Sequence, residues 1–255
     1  MALVDGPKRR RGGRTALIVI AVLLIVLVVL AVAAEFAARS YAEGRAEKEI
    51  ESSLPSGTTG RVGVDIRGFS VILQALGGSL DDVHLSSEDL VVSGVPLAFT
   101  ADLTQVPLQS GATTGPVDAT LTVSQEALNT TKAVTDIGGR VTLKPGDVVF
   151  DKTVKVLGLD LTAAVTAKPS LAADGKTIRI TPTDAAISSS NSAISGAALL
   201  TYLKTLSFDV CAADYLPQGA TVSRVTVADG SLALDLRSPG LPLTSAGLTE
   251  TGSCS

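Results

Sequence analysis

Hydrophobic residues follow two different rules along this chain. Residues 16–34 (ALIVIAVLLIVLVVLAVAA) form one unbroken apolar block of nineteen, with Lys8, Arg9, Arg10, Arg11 and Arg14 just ahead of it. As a helix rising about 1.5 Å per residue the block spans roughly 28 Å, close to the roughly 30 Å hydrocarbon core of a bilayer, and its basic flank belongs on the cytoplasmic side. The pattern predicts a cytoplasmic basic tail over 1–14, a transmembrane signal anchor over 15–34 and an exported remainder. Ala31-Val32-Ala33 also has the small-residue spacing of a signal cleavage site. A secretory apolar core usually runs to only about 7 to 15 residues, so an uncut anchor is the expectation.

Beyond the block the chain stays helical for one more segment and then changes period. EFAARSYAEGRAEKEIESSL is rich in helix-forming Ala, Glu, Lys and Arg, and Pro55-Ser56-Gly57 stops it, which predicts a juxtamembrane helix over 35–57. Phe36, Tyr41, Ile50 and Leu54 give it a weak apolar stripe, and its C-terminal half is expected to pack on the domain that follows. From Arg61 the alternation has period two: Val62, Val64, Ile66; then Val95, Leu97, Phe99, Ala101, Leu103; then Val117, Ala119, Leu121, Val123. These are strands with one apolar and one polar face, as in an antiparallel sheet solvated on one side. Parity slips at Val106 and Leu108, and at Val156-Leu157 within KTVKVLGLDLTAAVTAKP, predict bulges or bends in long strands.

Turn residues divide the pattern further. Lys144-Pro145-Gly146-Asp147 marks a turn, and Asp174-Gly175 and Asp229-Gly230 read as hairpin tips. Ser124 is a candidate N-cap for a helix over ALNTTKAVTDI ending at Gly138-Gly139, and a second helix, AALLTYLKTL, is predicted after Ser195-Gly196. The serine-rich stretch 188–196 reads as a loop. Gly68-Phe69-Ser70-Val71-Ile72-Leu73-Gln74-Ala75-Leu76-Gly77-Gly78 is too apolar for a surface loop. A short helix there places Phe69, Ile72, Leu73 and Leu76 on one face, either plugging a core or lining a mouth open to lipid.

Charge and composition narrow the chemistry. Of 21 basic and 25 acidic residues, five and one lie in residues 1–14, leaving 16 against 24 beyond, a net −8 for the exported part. An acidic exterior disfavours nucleic acid and a purely electrostatic grip on anionic lipid. Cys211 and Cys254 both fall on the exported side, where a disulfide persists; they are expected to pair, closing a loop that contributes about 3 to 4 kcal/mol, with two separate thiols as the alternative. One histidine and no Cys-x-x-Cys spacing give no support to a metal site, and no cofactor is expected. His84 lies in SLDDVHLSSEDL on the strand face opposite Val83 and Leu85, a solvent-facing position. The acid pairs Asp81-Asp82 and Glu88-Asp89 point to alternate faces and read as solvated edges; a hydrolase would have to draw on them.

Four stretches together carry a resemblance: the basic-flanked apolar segment, VDIRGFSVILQALGGSLDDVHLSSEDL, ATLTVSQEALN, and LPQGATVSRVTVADGSLALDL. In order and pattern they resemble the LmeA family of actinobacterial cell-envelope phospholipid-binding proteins over roughly residues 61–236. The resemblance implies an α+β fold like that of the tubular lipid-binding proteins, in which a curved antiparallel sheet wraps a helix around an apolar groove. It implies phospholipid binding in support of envelope lipoglycans, with no catalytic motif. The family's aromatic turn is reduced here to Phe69-Ser70-Val71. The whole chain is 45% hydrophobic but only 3% aromatic, and the Leu, Val, Ala and Ile of residues 58–255 offer aliphatic walls for acyl chains. Candidate groove residues are Phe69, Ile72, Leu73, Leu76, Phe99, Leu199 and Leu203. The expectation is a non-enzymatic, single-pass membrane protein that binds phospholipid or a related acyl lipid. The alternative is a scaffolding domain with a filled core that binds another, unknown protein.

Overall fold

The computed structural model describes residues 12–54, 57–136, 138–156, 159–189, 192–195, 208–244 and 250–254. The chain opens with α1 (Gly12–Ser52), which carries the apolar block and the juxtamembrane segment in one unbroken helix. Then follow β1 (Thr58–Thr59), β2 (Gly63–Arg67), α2 (Val71–Gly77), β3 (Ser79–Val92), β4 (Val95–Pro107) and β5 (Val117–Ser124). Next come α3 (Gln125–Thr130), α4 (Lys132–Thr135), β6 (Arg140–Lys144), β7 (Asp147–Val156), β8 (Leu159–Leu171) and β9 (Thr177–Ser189). The order ends with β10 (Ser192–Ser195), β11 (Phe208–Cys211), a 3-10 turn (Ala213–Tyr215), β12 (Thr221–Ala228) and β13 (Ser231–Ser238). This is an α+β architecture with two antiparallel sheets. The first has the order β1-β3-β4-β5-β13-β12, with β2 also on β3; the second has β10-β9-β8-β7-β6, with β11 on β9.

Local signals place most of these elements. Ser124 caps α3 by accepting the Ala127 N–H at 3.1 Å, and Gly138 follows the end of α4 with φ 67°. The predicted single helix is two, because Thr131 between them is extended (φ −65°, ψ 144°). Asp229-Gly230 joins β12 to β13, and Asp174-Gly175 joins β8 to β9, with the Asp174 carboxylate accepting the N–H groups of Lys176 and Thr177 at 2.9 and 3.0 Å. The parity slip after Leu103 is real: Gln105 has φ 48°, a left-handed conformation that turns Val106 and Leu108 to the side of Leu103.

Two further expectations are corrected. The slip at Val156 is not a bend in one strand, because β7 ends there and pairs antiparallel with β8 from Val156↔Leu159 onward. A chain reversal and a bulge leave the same parity signature in a sequence. Of the stretch 188–196, expected as a loop, the described residues are strand: β9 runs through Ser189 and β10 (Ser192–Ser195) pairs back onto it, with Ile194 opposite Ile187. Serine-rich composition hid two short runs whose pairing comes from each other. The predicted helix after Ser195-Gly196 lies outside the described residues.

The distal half of α1 packs on the first sheet through small residues. Ala42, Ala46 and Ile50 meet a buried cluster of Val64, Ile66, Val71, Leu80 and Val83. The neighbouring stripe of α1 is polar and covers the open edge of β2. Glu47 and Glu43 accept the N–H groups of Val64 and Ile66 at 3.3 and 3.0 Å, and Arg39 donates to the carbonyls of Ile66 and Gly68 at 2.7 and 3.0 Å. Four helical residues rise about 6.0 Å and two strand residues about 6.6 Å, so an i, i+4 stripe keeps step with alternate residues of a strand. The order is antiparallel, and β2 therefore leads back down α1 toward its apolar part.

Candidate functional site

Between α1 and the first sheet lies an apolar cavity of about 520 Å³, a volume typical of small-molecule sites. Each wall follows from strand alternation. Val64 and Ile66 of β2, Leu80, Val83 and Leu85 of β3, Phe99, Ala101 and Leu103 of β4, and Val117 and Ala119 of β5 all face it. Gln105 keeps Val106 and Leu108 on the same side, and α1 closes the space with Ala46 and Ile50. The remaining wall is assembled from distant chain: Pro217, Ala220, Leu236, Leu241 and Leu243. Among the lining residues only Arg237 and Ser238 carry polar side chains, and the Arg237 guanidinium pairs with Asp118 at 2.8 Å.

The disulfide Cys211–Cys254 supports that last wall. It closes a loop of sequence separation 43, and the C-terminal segment returns over the chain beside the cavity through Gly252 N–H to Leu216 O (3.0 Å) and Gln218 N–H to Glu250 O (2.9 Å).

The polar groups with catalytic potential lie elsewhere. His84 is on the opposite face of β3 from Val83 and Leu85, with Nδ1 2.7 Å from Asp102 Oδ1, and Arg67 Nη1 shares that oxygen at 3.0 Å. The Asp81 N–H donates to Gln74 Oε1 at 2.7 Å, and Asp89 pairs with Arg61 at 3.2 Å. Hydrogen bonds from the Arg61 N–H and guanidinium hold the Asp89 carboxyl below its ordinary range. Arg61–Asp89 and Arg67–Asp102 are ion pairs on strand surfaces, and Asp81, Glu88 and Asp89 are exposed as alternation predicted. Asp82 departs from the expected solvated edge: it is half-buried, and its Oδ1 is buried without a hydrogen-bond partner.

Of the candidate groove residues, Phe99 lines the cavity. Phe69, Ile72, Leu73 and Leu76 are on the outward side of α2, with Phe69 93% and Leu76 81% exposed. Leu199 and Leu203 lie outside the described residues. Ala101, Leu103 and Val117 were legible as strand-face residues but not as a wall. Pro217, Ala220, Leu241 and Leu243 gave no local signal.

A model of the LmeA-like phospholipid-binding family matches residues 33–237. The chain belongs to that family. The match begins at the end of the apolar block and runs into β13, so the LmeA-like region takes in the distal half of α1 and most of the cavity wall. No curated protein and no solved structure matches the chain. In this LmeA-like chain one helix among the described residues is long and apolar enough to cross a membrane, and protein covers none of its most apolar window.

Proposed function

We propose that this chain is a membrane-anchored, non-enzymatic phospholipid-binding protein of the cell envelope. Residues 15–34 cross the membrane, 1–14 remain cytoplasmic, 35–57 form the juxtamembrane segment, helical through Ser52, and 58–255 form an extracytoplasmic domain that holds acyl chains in the cavity. The observation that supports this most is the apolar cavity between α1 and the first sheet in a chain of a phospholipid-binding family. Each CH2 taken from water gains about 0.8 kcal/mol, so a dozen give roughly 10 kcal/mol before ordering costs. Phe99, Leu85, Ala101, Leu103 and Val117 make the acyl contacts. Such a protein shields or relays lipid in support of envelope lipid or lipoglycan maintenance.

The test is lipid extraction and mass spectrometry of the purified full chain, with uptake from phospholipid vesicles as a second readout. Wild type carries phospholipid, and Ala101→Trp, which fills the cavity from β4, carries several-fold less while keeping its far-UV circular dichroism. A wild-type protein that is lipid-free and takes up none from vesicles overturns the reading.

A further inference from the structure

The helix α2 is built the wrong way round for water. Its polar side chain, Gln74, is 8% exposed and turned inward, donating to Arg67 O at 3.1 Å and accepting the Asp81 N–H at 2.7 Å. Val71 is also buried, while Phe69, Leu73 and Leu76 point outward. Residues 68–78 carry no charged side chain. Outside α1, eight large hydrophobic residues are exposed among those described, and five of them, Phe69, Ile72, Leu73, Leu76 and Leu108, belong to α2 and its surroundings. A concentrated apolar face of this kind on a polar domain marks a contact with something apolar.

Its position identifies the occupant. Glu35 is the first charged residue after the apolar block, and its carboxylate accepts both the Ser70 hydroxyl, at 2.6 Å, and the Val71 N–H at the start of α2. One turn on, Arg39 holds the carbonyls of Ile66 and Gly68. The strand β2 thus returns along α1 until α2 stands level with the point where the apolar block ends. Phe36, 70% exposed, is beside it on α1. At that level a surface meets headgroups and the first acyl carbons.

We propose that α2 is seated in the outer leaflet of the bilayer that α1 crosses, with Phe69, Leu73 and Leu76 among the lipid chains. The seat also adjoins the cavity. The Leu108 N–H donates to Gly78 O at the C-cap of α2 (3.0 Å), and the half-exposed Leu108 side chain is part of the cavity lining. A lipid leaving the leaflet beside α2 meets the lip of the cavity without crossing water. This inference rests on the anchored reading of α1 and is independent of what fills the cavity.

The chain has no tryptophan, so a single introduced indole reports one position. The full chain is reconstituted in phosphatidylcholine–phosphatidylglycerol vesicles as Phe69→Trp, Leu76→Trp, or Ser52→Trp. Ser52, exposed at the far end of α1, is about 26 Å beyond Glu35. With lipid brominated high on the acyl chain, Phe69→Trp and Leu76→Trp lose more than half of their emission and are shielded from aqueous iodide, while Ser52→Trp keeps its emission and is quenched by iodide. Iodide quenching of Phe69→Trp equal to that of Ser52→Trp overturns the inference, as does shielding from iodide without quenching by brominated lipid, which points to protein contact. Lipid extracted from wild type reads the cavity separately: vesicle contact at α2 with an empty cavity would sink the acyl-binding proposal alone, and a lipid-filled protein with water-exposed Trp at 69 would sink this one alone.

Discussion

Single residues set the shape of the cavity wall. Gln105, at φ 48°, holds a conformation that costs an ordinary side chain about 1 to 2 kcal/mol, and it moves the apolar series from Leu103 to Val106 and Leu108. Glycine reaches that conformation without the steric cost, whereas a β-branched residue resists it. Gln105→Val is therefore expected to lose about 1 to 2 kcal/mol in urea unfolding, and Gln105→Gly to lose none. Glu35 acts on acid stability. The Ser70 hydroxyl, then the Val71 N–H, hold its carboxyl below the ordinary glutamate range when folded. A carboxyl depressed by folding contributes stability above its unfolded value and loses it as the pH falls through its folded value. Urea midpoints of the full chain in detergent should decline on acidification through the carboxylate range, and the decline should be smaller in Glu35→Gln. Equal declines in the two proteins would remove Glu35 as a contributor.

At the scale of elements, α1 does two jobs on adjacent faces. Its alanines let it lie close to the sheet, and its Glu43, Glu47 and Arg39 side chains satisfy backbone groups on the edge of β2 that no strand covers. Removing an acceptor leaves a donor with its desolvation unrepaid. Glu43→Ala should cost about 1 to 3 kcal/mol and speed hydrogen exchange at the Ile66 amide, while Lys48→Ala, on an exposed position of the same helix, should change neither. The helix itself was legible from its composition and its proline stop. Its partner was not. That its C-terminal half packs on the domain was expected from its apolar stripe, but its charged stripe at i, i+4 spacing gains a partner only once the strand edge of residues 64–68 is known to lie along it.

At the scale of the molecule, the C-terminal segment completes the cavity-bearing domain. The Cys211–Cys254 bond is expected to contribute about 4 kcal/mol through the loop it closes, so Cys211→Ala/Cys254→Ala should lower the thermal midpoint well below that of wild type. Because Pro217 and Ala220 form a wall beside the tethered segment, the double variant should also retain less lipid after delipidation and reloading, measured by extraction. A variant as stable as wild type would show that the packing of residues 250–254 on 216–218 holds without the bond.

From its order of residues alone this chain determined the membrane-length helix, the alternating strands, the caps and hairpin tips, and which side chains share a face. Those are local properties, set by periods of 3.6 and 2 and by the few residues that tolerate a turn. Only the tertiary structure decided what each face meets. Periodicity grouped Phe69, Ile72, Leu73 and Leu76 correctly but left open whether they faced a core, and the fold turned Gln74 inward in their place. It set the strands in two sheets, joined Pro217 and Leu241 to a wall begun at Val64, and kept a hollow between α1 and β2 to β5. Whether apolar faces interlock or leave a space depends on the distance between elements far apart in the chain, and no window of sequence contains that distance.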